Sequence, residues 1–515
     1  MIDSRSADRP LTRRRFLGAA GSVAASVALG TACGSGAASD AATVATTRQG
    51  KVRGIESEGV ITWKGIPFAA PPTGSRRFAA PEPAESWTGI REAAEFGPVA
   101  PQGPLAPGTP AAPNQSEDCL YLNVWSRSTS GQRPVIVWIH GGAFVVGTGG
   151  DTRFDGRHFV DRDCVLVTVN YRLGAFGCLY QPGKPGSGNL RLLDQMAALN
   201  WVRNNISGFG GDPDNVTVMG ESAGAMSIGP LLGIQVARRL FHRAILSSGG
   251  PRPVRTPEFA ALTTTAVLRT LGLNDPARLM DVPTRDLLDA SVAAHANAEL
   301  LEPYPHVIDG IVLTDHPLRT VDGSVDLLIG TCAKEADLFL IDPANRTRFE
   351  TQARQAIGDR TWNHILQTYT GTPVDGHVPL NDILSGWFAV MPSVWLAEHA
   401  QRAGAKVWQY TFDYAAAGPR GAVHGADVPY SFGNLDTTEL TEPATTEKLS
   451  KAMVSAFTAF AHTGDPAVPD LPAWPSFTPD NRACMSFDAQ PRLTDDRLPA
   501  ERRQAWAGAD PYLVC

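Results

Sequence analysis

The sequence is short of cysteine. Seven occur in 515 residues, with no CxxC pair and no Cys/His clustering of the zinc kind, which excludes a disulfide scaffold and gives no sign of a structural metal. An excess of positive charge is also missing. Lys and Arg number 45 against 52 Asp and Glu, a formal charge of −7, and no basic stripe of the kind that follows a nucleic-acid backbone survives past the N-terminus. No Gly-Lys pair is followed by Ser or Thr, so a phosphate-binding loop is excluded. Neither an internal repeat nor a heptad pattern is evident. What remains, 43% hydrophobic and 19% charged residues, is the composition of an ordinary globular chain. One large domain is expected, because open α/β sheets reach this length on a single core.

What is present begins with an address. Arg5, Arg9, Arg13, Arg14 and Arg15 precede an uncharged Ala/Gly/Ser/Val run from Phe16 to Ser39, so residues 1–40 read as an export signal outside the fold. Thr12-Arg13-Arg14-Arg15-Phe16-Leu17 resembles the twin-arginine signal. The run is weakly apolar for a spanning helix, which favours export over a permanent anchor and predicts a secreted or envelope-associated protein with no transmembrane span. Cys33 follows Leu29-Gly30-Thr31-Ala32, a loose match to a lipoprotein processing site with Gly30 where an apolar residue is usual. A lipid anchor at Cys33 stays open beside simple cleavage.

Residues 43–515 read as one α/β domain. From Thr43 to Trp87 the chain is proline-rich, with short strands and turns, and 97–115 is a Pro/Gly/Ala loop. Short β-branched apolar runs predict buried strands over 134–139, 164–171, 215–219, 243–248, 325–332 and 405–414. Helices are predicted over 223–232, 447–461 and 190–206, the last with Leu190, Leu193, Met196, Ala197, Asn200 and Trp201 toward the sheet. Strand and helix alternate, which is the rhythm of a large, mostly parallel sheet flanked by helices. Broken segments around 251–301 and 338–400 are read as cap insertions.

The chain is organised around Val216 to Gly224, VTVMGESAG, where a β-branched run ends in Gly220-Glu221-Ser222-Ala223-Gly224. With 50 glycines in the chain the GxSxG pattern is weak by itself; a strand before it and a helix after it are the context it requires. In that setting the turn lifts the Ser222 hydroxyl into the open and aims the Ala223 N–H at a forming oxyanion. The strand at 134–139 ends in His140-Gly141-Gly142-Ala143-Phe144, whose glycines free backbone N–H groups to face a cavity, as in HGGG-type oxyanion loops. Phe144, Val145 and Val146 follow, as an apolar substrate wall or as simple packing.

An activated serine needs a base and an acid, in the chain order Ser, Asp or Glu, His. Glu335 leaves the predicted strand 325–332, with Asp337 as the alternative two positions on. His424 sits late in the chain among Gly421, Gly425 and Asp427.

At this point the sequence resembles the type-B carboxylesterase and lipase family, which includes para-nitrobenzyl esterase-like enzymes and the cholinesterases, over nearly all of residues 43–490. The matching stretches include KGIPFAAPP, EDCLYLNVW, VWIHGGAF, NYRLGAFG, GNLRLLDQMAALNWVRNNISGFGGDPDNVTVMGESAG, LIGTCAKE, GAVHGADVPYSFG and FAHTGDP. The resemblance implies an α/β-hydrolase fold with Ser222 as nucleophile, Glu335 as acid and His424 as base. It further implies an oxyanion hole of the Gly142, Ala143 and Ala223 N–H groups and an internal Arg77–Glu117 ion pair. Three departures stand out. Ala100 occupies the place of the cysteine that pairs with the one in EDCLYLN, so Cys119 is expected free and buried. No aromatic lies in 103–116, which disfavours choline esters. Lys334 and Ser247 replace an acidic residue and a glutamine. The implied protein is a secreted serine carboxylesterase, cofactor-free and expected as a monomer, acting on small-molecule esters through an acyl-enzyme. Two other readings stay open: a catalytically silent cell-surface binding member of the fold, and a hydrolase of amide, carbamate or thioester bonds.

Overall fold

Along Arg133–Ile139, Val135, Val137 and Ile139 join one apolar cluster while Ile136 and Trp138 join another. Val165–Val169, Asp326–Cys332 and Val407–Phe412 divide in the same way. Both faces of these strands are dry, so the runs are apolar throughout instead of alternating with polar residues. The computed structural model describes residues 42–104, 112–252, 254–297, 304–374, 378–417, 420–435 and 442–512. The expected export signal, Cys33 and the 105–111 part of the Pro/Gly/Ala loop lie outside these residues.

Among the described residues eleven strands form the main sheet: β1 (Ile55–Ser57), β2 (Val60–Pro67), β3 (Tyr121–Ser126), β4 (Arg133–Ile139), β5 (Val165–Val169), β6 (Gly211–Glu221), β7 (Arg243–Ser247), β8 (Asp326–Cys332), β9 (Val407–Phe412), β10 (Cys484–Phe487) and β11 (Arg492–Thr494). Their spatial order is β11-β10-β9-β8-β7-β6-β4-β5-β3-β2-β1. From β10 to β5 all neighbours are parallel. Antiparallel strands finish both edges. The order reverses at β4, which sits between β5 and β6, and open α/β sheets place their ligand crevice beyond the carboxyl ends of strands at such a point. The short strands expected over 43–87 are divided: Val44–Thr46 and Lys51–Arg53 join Ile90–Glu92 in a separate three-stranded sheet, while β1 and β2 edge the main one.

The longer helices are α1 (Leu190–Asn205), α2 (Ala223–Gly233), α3 (Pro257–Thr270), α4 (Thr284–Asn297), α5 (Pro343–Ile357), α6 (Asp359–Gly371), α7 (Met391–Arg402) and α8 (Pro443–Thr463). Helices α1, α2 and α7 pack on one face of the sheet, α3 and α4 join the same apolar cluster, and α8 packs on the other face. A third cluster joins α5 and α6 to Leu384, Trp387 and Trp506. The segment 338–400 is therefore divided: its first part carries this third cluster, whereas α7 covers the sheet through Leu396, Ala397 and Ala400. Among the described residues no helix is long and apolar enough to cross a membrane.

The face of α1 is only partly the one its hydrophobic spacing predicts. Leu190 and Trp201 are buried as expected and Leu193, Met196 and Ala197 half-buried against the same cluster, but Asn200 is exposed, and Arg191, Asp194, Gln195, Ala198, Leu199 and Val202 are buried as well. The inward stripe is partly polar because it carries specific partners. Asp194 receives two bonds from the buried Arg172 guanidinium, at 2.8 and 2.7 Å, and a third from the Arg172 N–H at 3.1 Å. Such full pairing is what allows charges to stay inside a core. Arg77 forks onto Glu117 and also reaches the Val282 carbonyl at 2.6 Å, fastening the N-terminal segment to the approach to α4. Cys119 is free and buried, and burial raises its thiol far above the usual range.

Candidate active site

Strand β6 delivers Ser222 to the crevice on a sharp turn. Its φ of 53° and ψ of −123° lie where a side chain is strained, at a cost of about 1–3 kcal/mol. Surrounding bonds hold it there: the Ser222 N–H donates to the Ser247 carbonyl at 3.0 Å, and the Ser222 carbonyl accepts from the Met226 N–H at 2.8 Å. The flanking glycines answer to space. A Cβ on Gly224 would stand 2.0 Å from the Ile139 carbonyl oxygen, and one on Gly220 would stand 2.7 Å from the Gly224 backbone.

The structure brings together the three residues that the sequence singled out. His424 Nε2 lies 2.8 Å from Ser222 Oγ, and His424 Nδ1 lies 2.6 Å from Glu335 Oε2. Glu335 is fully buried and its other oxygen accepts the Cys332 N–H at 2.7 Å, so the carboxylate is fixed at the end of β8. The loops of acid and base are tied directly by the Lys334 N–H donating to the Ala422 carbonyl at 2.9 Å. Asp337, the alternative acid, instead accepts from Asn381 at 2.8 Å. Gly421 and Gly425, with φ of 71° and 75°, turn the chain on either side of His424.

A second carboxylate faces the same imidazole. Glu221 Oε1 is 3.3 Å from His424 Nε2. Burial pushes the Glu221 carboxyl up to about 7, with His424 pulling it down and Asp427 and Glu335 adding to the rise. Burial acts to lower His424, but Glu221, then Glu335 and Asp427, outweigh it and raise the imidazole to about 9. Asp427 is buried, accepts from Ser247 Oγ and from the Tyr410 hydroxyl at 3.1 Å, and is itself raised by burial.

On the opposite side stands the loop after β4. Gly142 and Ala143 both have positive φ, 113° and 52°, and a Cβ on Gly141 would meet Glu221 Oε2 at 2.5 Å. Among the described residues the N–H groups of Gly142, Ala143 and Ala223 donate no hydrogen bond, which leaves them available to an oxyanion. His140 stacks on Tyr171 with centroids 4.4 Å apart, and its burial lowers it to about 4, so it stays neutral beneath the loop.

A serine on a strand-to-helix elbow, a histidine, a buried glutamate and a glycine loop now stand in one crevice, and known proteins carry the same sequence pattern. A profile of the carboxylesterase family matches residues 41–506. The chain belongs to the carboxylesterase family. It is 38% identical to the para-nitrobenzyl esterase of Bacillus subtilis over 90% of this chain and 98% of that protein. It is 34% identical to a phenmedipham hydrolase of Pseudarthrobacter oxydans over 86% and 94%. A solved carboxylesterase of Geobacillus stearothermophilus superposes with a TM-score of 0.81 at 36% identity, covering 90% of this chain and all of that one. This carboxylesterase is thus a carboxylic ester hydrolase with the α/β-hydrolase fold.

Of the two readings of Phe144, substrate wall or packing, its surroundings are those of packing. Phe144 is 2% exposed, with the Arg191 guanidinium 3.9 Å from its ring centroid and His306 edge-on at 5.1 Å. Val145 and Val146 are half-buried. The apolar wall beside the base comes from elsewhere: Phe339 and Phe388 lie 5.2 and 5.1 Å from the His424 ring, backed by Phe349. Phe388 sits on a π-helical turn, Gly386–Val390, a distortion that often serves to aim a side chain at a site. Sequence reading passed over Glu221, Asp427, Phe339 and Phe388. Only Glu221 had a local signal, as the acidic residue inside GxSxG. Among the described residues no cluster of three His, Cys, Asp or Glu side chains is set to hold a metal.

Proposed function

We propose that this carboxylesterase works by covalent catalysis, with Ser222 as nucleophile, His424 as general base and Glu335 as the acid that orients it. The supporting observation is the unbroken line Ser222 Oγ–His424–Glu335, at 2.8 and 2.6 Å. Neutral His424 takes the proton of Ser222 as Oγ adds to the ester carbonyl, and Glu335 stabilises the imidazolium. The tetrahedral oxyanion is received by the Gly142, Ala143 and Ala223 N–H groups, each contributing about 3 kcal/mol to barrier lowering. His424 then gives its proton to the leaving alcohol. Water adds to the acyl-enzyme by the same route and frees Ser222. Phe339 and Phe388 beside the base support uncharged esters with apolar groups, and the site is complete within one chain, which supports a monomer.

The test is hydrolysis of para-nitrophenyl esters by wild type and Ser222→Ala, with mass spectrometry of the peptide modified by a serine-reactive organophosphate. Loss of turnover in a folded Ser222→Ala protein, with the label on Ser222 in wild type, is expected. Turnover retained by that variant would overturn the reading.

The proposal extends to place. Arg13, Arg14 and the uncharged run after them support twin-arginine export to the cell exterior or envelope. Replacing both arginines by lysine should trap the precursor in the cytoplasm, and unchanged export would refute this route. Metabolic labelling with a fatty acid distinguishes a lipidated Cys33 from simple cleavage.

A further inference from the structure

Arg191, the second residue of α1, is completely buried. Its guanidinium donates from Nη1 to the Cys178 sulfur, brings Nη2 to 3.2 Å from His306 Nδ1, and stands 3.9 Å from the centroid of the Phe144 ring. Burial, aided by the Arg191 charge, holds His306 well below its ordinary range and therefore neutral, so its Nδ1 accepts from the guanidinium. His306 also sets its ring edge against Phe144, at 5.1 Å and 76°. The Phe144 side chain is thus gripped by a cation on one contact and an imidazole on another.

What this grip controls is the oxyanion loop. Gly142, Ala143 and Phe144 have φ of 113°, 52° and 63° in succession, two of them at residues with a Cβ. Such a turn persists only where its surroundings over-determine it. The Phe144 carbonyl is fixed by the Gly174 N–H at 2.8 Å, and its ring by Arg191. A desolvated cation over an aromatic face is a strong contact of this kind.

We propose that Arg191 is a positioning residue for the oxyanion hole: its buried guanidinium clamps the Phe144 ring and so keeps the Gly142 and Ala143 N–H groups aimed at the reacting carbonyl. It does not touch substrate. The inference rests on the acyl-enzyme reading, and labelling of Ser222 in wild type tests that reading separately.

The experiment compares wild type, Arg191→Met, Phe144→Leu and the double variant, each normalised to the organophosphate-titrated serine. For each, kcat and KM on a para-nitrophenyl ester and the inhibition constant of a trifluoromethyl ketone are measured. Because the oxyanion is stabilised in the transition state, Arg191→Met should lower kcat by about tenfold or more with KM kept within about twofold. The ketone, which forms a tetrahedral oxyanion, should weaken in parallel. Phe144→Leu should do the same, and the double variant should be little worse than the worse single one. An unchanged kcat per titrated serine, whatever happens to melting temperature, would reduce Arg191 to packing and overturn the proposal, as would strictly additive losses. Should Arg191→Met fail to fold, Phe144→Leu carries the same kcat-against-KM test.

Discussion

Replacing Glu221 by Gln should move the pH dependence of the esterase. Glu221 Oε1 lies 3.3 Å from His424 Nε2 and leads the carboxylates that, against burial, raise the imidazole to about 9. Two unit charges at that distance interact by about 5 kcal/mol at an effective dielectric constant of about 20. Opposite charges this close typically move a pKa by about 1–3 pH units; Glu221, which protonates at about 7, is ionised where His424 titrates, and burial of the imidazole works against the rise. About one pH unit or more is therefore the expected change in His424. The sign follows from the chemistry. Only neutral His424 can accept the Ser222 proton, so the base form appears as pH rises through the imidazole pKa. Removing the carboxylate lowers that pKa and carries the ascending limb of kcat/KM toward lower pH. The assay is kcat/KM on a para-nitrophenyl ester from about pH 5 to about pH 10 in both proteins. A limb that stays in place or moves upward would refute Glu221 as the charged partner of His424.

Glu335→Gln should cost about 10⁴-fold in kcat, by analogy with removal of a triad carboxylate, while Asp337→Asn, whose side chain serves Asn381, should cost little; steady-state kinetics separate them. Gly224→Ala puts a Cβ 2.0 Å from the Ile139 carbonyl oxygen, and denaturant melting should show a loss of about 3 kcal/mol. Asp194→Asn leaves the buried Arg172 charge without its counterion and should destabilise by about 3–5 kcal/mol in the same measurement. Phe388→Ala opens the wall beside His424 and should shift the ratio of kcat/KM between bulky and small esters, read from a series of acyl chain lengths.

Much of the frame was legible in the sequence because its signals are local. The apolar runs of β4, β5, β7 and β8 are buried on both faces, so neighbouring residues alone announce them. The elbow is likewise written in consecutive residues, since Gly220 and Gly224 meet backbone of the turn itself and of the adjacent strand end. Chain order then narrowed the acid to Glu335 or Asp337, and geometry separated them. What stayed hidden depends on distant partners. The inward face of α1 was read only in part: Leu190 and Trp201 are buried as expected, but so are Arg191 and Asp194, against Phe144 and Arg172, and no periodicity reports a satisfied charge. For Phe144 the sequence left substrate wall and packing open, and only its contacts with Arg191 and His306 favour packing. The wall of Phe339 and Phe388 unites residues from a loop and a π-helical turn that nothing in the sequence brings together.

The line from Ser222 to Glu335 joins residues far apart in the chain: the serine and the histidine are separated by 202 positions, and the histidine and the glutamate by 89. Each comes from the end of a different strand, or from a loop just beyond it, with β7 lying between β6 and β8. Until those strands have docked in register, the serine has neither a base nor a cradle. On the covalent mechanism proposed above, a half-collapsed chain would carry the serine without its reactivity. Turnover thus serves as a clock for the last step of assembly: on dilution from denaturant, esterase activity should return after the helical signal, by the interval these long loops need to close.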